Sequence, residues 1–173
     1  FLDRCPRKNI HAHCMGDDPE NRSEWGFLKV EGVSGKEMLD AVKNGQIWLN
    51  IIDVHQLDDE YSRLTHAIYD ELQMLCPDFE PLTRRAILLL SSSTTQVYYH
   101  ADAPPNILWH LRGVKRVWVY PTDEKFIPQS DLEKIFTREA HEELPYRSEW
   151  DQDAVCRDLQ SGEVASWPQN SPH

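Results

Sequence analysis

Beyond Pro81 the chain breaks into short runs of Val, Ile, Leu, Tyr and Trp punctuated by Pro, Gly, Ser and Asp, a pattern that leaves little room for long helices. The runs cover residues 84–92, 96–100, 106–112, 114–120, 154–159 and 163–167. A single helical pattern at 130–140 interrupts them, with Asp131 and Glu133 in its first turn. Short antiparallel strands at this spacing predict a barrel or sandwich of the jelly-roll kind. Arg112-Gly113 reads as a tight turn that returns the chain antiparallel between the runs at 106–112 and 114–120.

The first 82 residues read differently. Strands are expected at 9–15, 25–30 and 46–52, with acidic loop residues Asp17, Asp18 and Glu20 between the first two. Ser34 with Glu37 three residues on is a capping-box spacing; the helix it opens carries Met38, Leu39 and Val42 and ends at Asn44-Gly45. Leu57, Tyr61, Leu64, Ile68, Leu72 and Leu75 recur at helical steps until Cys76-Pro77. The expected organisation is an α+β, mostly β chain: a helical and mixed extension over 1–82 packed on a barrel over 83–173.

Composition narrows the partners. Asp and Glu number 29 against 18 Lys and Arg, a net charge of -11, which argues against nucleic acid as a direct ligand. No apolar run is long enough to span a bilayer, so a soluble chain without a membrane partner is expected. Cys5, Cys14, Cys76 and Cys156 form no Cys-x-x-Cys pair, which suits free thiols in a reducing, cytoplasmic setting. The chain starts at Phe1 and stops at His173, and reads as cut at both ends.

Chemistry concentrates on His100-Ala101-Asp102, where two ligand side chains at i and i+2 point the same way from an extended chain. Lys115 follows after a strand and a turn, and a distal segment from Gly162 to Trp167 and Pro168 leads to His173. Two His and one carboxylate can cap one face of an octahedral ion, the facial arrangement of non-haem iron oxygenases. Other candidates read as structure. His141-Glu142-Glu143 has the same form but falls on a charged helical run whose residues face solvent. His110 is assigned a packing or rim role, and Trp109, Trp118, Tyr120 and Trp167 are assigned to sheet packing. Cys5, His11, His13 and Cys14 fit no compact zinc spacing.

The stretch VYYHADAPPNILWHLRGVKRVWVYP, with SGEVASWPQNSPH, resembles the JmjC-type, cupin-like branch of the iron(II)- and 2-oxoglutarate-dependent oxygenases. The resemblance is strongest over residues 84–173 and implies a double-stranded β-helix. It implies that His100, Asp102 and His173 bind Fe(II) as the catalytic metal. It implies that Lys115 holds the remote carboxylate of 2-oxoglutarate. The spacing from Asn106 through Gly113 to Lys115 also resembles protein asparagine hydroxylases of that group, which implies that Asn106 lies near the co-substrate. Val97 stands where relatives often carry Thr, with Thr94 and Thr95 nearby, and the strand that normally follows the last His is absent. The implied activity is hydroxylation, or demethylation through hydroxylation, using 2-oxoglutarate and oxygen on an unidentified substrate such as a protein or peptide side chain. Two alternatives stay open: a metal-binding cupin acting as a sensor or binding module, and a cupin enzyme that does not use 2-oxoglutarate.

Overall fold

The computed structural model describes residues 1–173 apart from Gln46 and His141. The expected start of the strand at 46 and the reading of His141 lie outside the described residues. The chain divides into two compact units, Phe1–Cys14 with Gly26–Thr95, and Met15–Trp25 with Gln96–His173.

The first unit holds β1 (Ile10–Cys14), β2 (Gly26–Leu28), α1 (Gly35–Lys43), β3 (Ile47–Ile51), α2 (Val54–Leu57), α3 (Asp59–Leu75) and β4 (Leu88–Leu90). The strands form one antiparallel sheet in the order β2-β1-β3-β4. Alternation along the strands sends Ile10, Ala12, Leu49 and Ile51 to one face, where they pack with Met38 and Val42 of α1. The capping box forms as expected: the Ser34 hydroxyl accepts from the Glu37 N–H while the Glu37 carboxylate accepts from the Ser34 N–H, an arrangement worth about 1 kcal/mol. The periodic stripe of α3 is a helix but an incompletely covered one, since Leu64 is 51% and Leu75 72% exposed. Periodicity marks an apolar face without saying what covers it. The segment after α3 is stapled back onto it by Arg84, which donates to Asp70 and Gln73 and lies over the Tyr69 ring.

The second unit holds β5 (Ile107–Trp109), β6 (Val114–Val119), α4 (Gln129–Thr137), β7 (Val155–Gln160) and β8 (Val164–Ser166). The Arg112-Gly113 turn does not make a β5–β6 hairpin. β5 pairs with β8 and β6 with β7, both antiparallel. Trp109 lies opposite Val164 and Val114 opposite Gln160, so the β5–β6 side spends one residue more than its partner across the junction. Neither ladder continues across the junction: on the β7–β8 side the Glu163 N–H bonds the Gln160 carbonyl and closes a turn, and the ribbon passes there from one small sheet to the next. Gly113 and Gly162, with φ of 86° and 92°, supply the left-handed backbone on the two sides of this corner.

The expected strand at 96–100 is reduced to an isolated bridge between His100 and Glu143. Its backbone groups still find partners: Ala101 donates to the Glu142 carbonyl, and the Tyr99 carbonyl accepts from Leu144. Glu142 and Glu143 are therefore off the helix on which the sequence placed them. α4 stops at Thr137 because Arg138 takes a left-handed conformation, φ 61°. Tyr99, Tyr120, Phe126, Ile127, Ile135, Leu144 and Trp150 make the core. Tyr120 and Tyr146 both donate to one Asp151 oxygen, at 2.6 and 2.7 Å. The segment Met15–Trp25 joins this unit through Glu20, which accepts from the Ser148 N–H and hydroxyl, and through Trp25, stacked on Tyr98. The fold is thus mixed α+β, built from small antiparallel sheets and helices, and among the described residues none of these sheets closes into a barrel.

Candidate metal centre

His100 and Asp102 leave the same stretch of extended chain on one side, as the i, i+2 spacing requires. His173 arrives from the other end of the unit. A turn closed by the Ser171 N–H on the Pro168 carbonyl, with Asn170 at φ 69°, delivers it. The Pro172 carbonyl then accepts from the Tyr120 N–H, and His173 pairs with His100 through both backbone groups. One ligand atom from each of His100, Asp102 and His173 falls within 4.8 Å of the others, and this is the cluster of metal-ligating groups found among the described residues. Cys5, His11, His13 and Cys14 form no such cluster there, in line with their sequence spacing.

The imidazoles are oriented by carbonyls two residues upstream. Nδ1 of His100 is 2.9 Å from the Tyr98 carbonyl, and Nδ1 of His173 is 3.0 Å from the Ser171 carbonyl. A carbonyl only accepts, so each Nδ1 carries a hydrogen, and a ring that is otherwise neutral then turns an Nε2 lone pair inward. Those two Nε2 atoms stand 3.8 and 3.2 Å from the Asp102 carboxylate oxygens. Two lone pairs and a carboxylate repel unless a positive centre joins them. A proton on His173 meets the need of one ring; a divalent cation meets the need of all three groups, and the carbonyl-bonded Nδ1 is the usual support of a metal-bound His.

The electrostatics agree. Burial, together with the nearby His173 and Lys115 charges, pushes His100 down to about 4, against the pull of Asp102 and the Tyr98 carbonyl, so the ring is a neutral donor at neutral pH. Burial alone would raise the Asp102 carboxyl, but hydrogen bonds from His173 and Asn106 and the imidazole charges outweigh it and hold the group below its usual value. Burial pushes Glu142 up, and Asp102 adds to the effect, while the Ala103 N–H bonds its carboxylate at 3.2 Å.

Lys115 lies on β6 opposite buried Leu159, half-buried itself, and burial lowers its ammonium below the ordinary lysine value. It forms no ion pair among the described residues. Asn106 is exposed, and its side chain is among the groups that lower the Asp102 carboxyl. All five residues singled out in the sequence thus belong to the second unit, four of them linked by direct contact and Lys115 by its effect on His100.

Sequence reasoning missed two neighbours of the triad, Trp167 and Glu142. Trp118 and Tyr120 pack as expected, but Trp167 lays its ring 4.3 Å from that of His173. Glu142 reaches the site from a segment read as helical. His110, assigned a packing or rim role, has an Nε2 atom sealed from solvent that finds no hydrogen-bond partner among the described residues. Only the alternation Asn106, Leu108, His110 could have pointed to it.

No family model, curated protein or solved structure matches the chain. No helix of the described residues is long and apolar enough to cross a membrane.

Proposed function

We propose that this chain is an iron(II)- and 2-oxoglutarate-dependent oxygenase of the JmjC type that hydroxylates an unidentified substrate, or demethylates it through hydroxylation. The observation that carries the proposal is the pair of imidazole Nε2 atoms facing one carboxylate, His100 and His173 against Asp102. This donor set fits a divalent first-row ion with open positions left over. We further assign residues 83–173 to a double-stranded β-helix and 1–82 to its extension; the paired ribbon that turns a corner between β5–β8 and β6–β7 supports this architecture. Four free thiols support a cytoplasmic setting.

In this reading His100, Asp102 and His173 hold Fe(II), with Tyr98 and Ser171 fixing the two rings through their carbonyls. Asn106 orients the Asp102 carboxylate and stands close to the co-substrate. Lys115 pairs its ammonium with the remote carboxylate of 2-oxoglutarate, which a half-buried cation lacking a protein partner is suited to do. The bound ion supplies the oxidising chemistry, in which 2-oxoglutarate and oxygen yield succinate and carbon dioxide as one oxygen atom enters a C–H bond of the substrate.

The test is succinate formation from Fe(II), oxygen and 2-oxoglutarate, measured with and without a peptide and small-molecule panel. Wild type is expected to turn over slowly even without a target, and Lys115→Ala to raise the KM for 2-oxoglutarate on the order of a hundredfold while iron still binds. Bound 2-oxoglutarate with no succinate across the panel would instead identify a sensor. Indifference of 2-oxoglutarate to Lys115→Ala would identify a metal site with another co-substrate.

A further inference from the structure

One face of the β5–β8 pair is fixed at both of its ends. Asn106, Leu108 and His110 alternate to the same side, and Asn106 hydrogen-bonds to the Asp102 carboxylate. Across the ladder Ala165 lies opposite Leu108, and two residues on from Ala165 is Trp167, whose ring packs on His173. The side that carries His110 is therefore the side turned toward the triad. His110 remains in the ladder at this point: its N–H donates to the Glu163 carbonyl at 2.9 Å and its carbonyl accepts from the Gly162 N–H at 2.7 Å.

The His110 Nε2 atom is closed off from solvent and has no hydrogen-bond partner among the described residues. Buried polar side-chain atoms almost always have one, so an orphan on the wall of a site points to a ligand. Just past the corner comes Lys115, whose charge is felt at His100 and which lacks a partner of its own among the described residues. Among the described residues an imidazole nitrogen and a cation thus stand unpaired along one ribbon.

We propose that His110 is a second co-substrate contact, its Nε2–H donating to the remote carboxylate of 2-oxoglutarate that Lys115 holds. This rests on the 2-oxoglutarate reading given above. The two groups differ in kind: the ammonium is a point charge, whereas the imidazole N–H is directional and fixes the plane of the carboxylate. A 2-oxo acid without a second carboxylate leaves both groups unpaired, so the pair selects dicarboxylic 2-oxo acids over monocarboxylic ones such as pyruvate.

The test measures binding, by calorimetry or tryptophan fluorescence, of 2-oxoglutarate and pyruvate to the Mn(II)-loaded chain without oxygen. His110→Leu is expected to raise the Kd for 2-oxoglutarate on the order of tenfold, with the Kd values for pyruvate and Mn(II) unchanged. His110→Gln, which keeps an N–H donor, is expected to recover most of that loss. Equal weakening of 2-oxoglutarate and pyruvate in His110→Leu would assign the residue to packing and overturn the inference. So would 2-oxoglutarate binding that depends on Lys115 but not on His110, and that result would leave the proposed function standing. If Mn(II)-loaded wild type binds no 2-oxoglutarate, the inference and the proposed co-substrate fall together.

Discussion

His100 and His173 face each other as a hydrogen-bonded antiparallel pair, each donating its backbone N–H to the other's carbonyl, at 3.1 and 2.9 Å. Their rings lie 4.2 Å apart between centroids on the side of Asp102. The same two bonds that close this part of the second unit therefore set the spacing of two metal ligands, and metal binding is coupled to the folding of that unit.

Anaerobic titration with Fe(II) should show about one site per chain. His100→Ala and Asp102→Ala should each weaken it by a hundredfold or more, because each removes one of three donors. Asn106→Ala removes only the group that steadies Asp102, and a loss of about tenfold is expected. Unchanged stoichiometry and affinity in the first two variants would rule out the triad as the binding site.

Acid should destabilise the metal-free chain through His100. The folded protein holds this ring at about 4 against 6.5 for an exposed imidazole, so between those values the unfolded chain takes up a proton that the folded one refuses. Stability is untouched by this residue above that window and falls as pH drops through it, by about 3 kcal/mol at the acid end. Urea denaturation of chelator-treated protein across the window should give a shallower decline for His100→Gln than for wild type; parallel declines would contradict a ring held neutral.

Asp151 serves two tyrosines at once, so its loss leaves two hydroxyls without their acceptor, that of buried Tyr120 and that of half-buried Tyr146. Asp151→Ala should cost about 2–4 kcal/mol in urea denaturation. Asp151→Asn retains an acceptor oxygen and should cost less than half as much. An Asn variant as damaged as the Ala variant would mean that the carboxylate charge, rather than the shared acceptor, matters here.

Arg84 ties α3 to the segment that follows it through Asp70, Gln73 and the Tyr69 ring, beside the contacts of Tyr69 with Phe79 and the Arg85 backbone. Arg84→Ala should speed proteolytic cleavage within residues 76–87 several-fold while lowering overall stability by only about 1 kcal/mol, since the pair with Asp70 is largely exposed. A global loss of stability without local cleavage would place Arg84 in the core network instead.

Much of this protein was legible in its residue order wherever the cause is local. The Ser34–Glu37 capping box, the α3 repeat and the alternation of β1 and β3 are set by neighbours within a few positions, and each formed where expected. His100 and Asp102 were readable for the same reason, because an i, i+2 spacing on extended chain fixes which way both side chains point. Tertiary structure alone decided the rest. The apolar stripe of α3 could not report that Leu64 and Leu75 stay exposed, because burial is a property of what packs against a face. The turn at Gly113 could not report that β5 and β6 choose β8 and β7, since pairing is defined by the register of two strands and never by one of them. The placing of His173 beside Asp102 came from backbone pairing between segments dozens of residues apart, where chain order carries no distance information until the hydrogen bonds have formed.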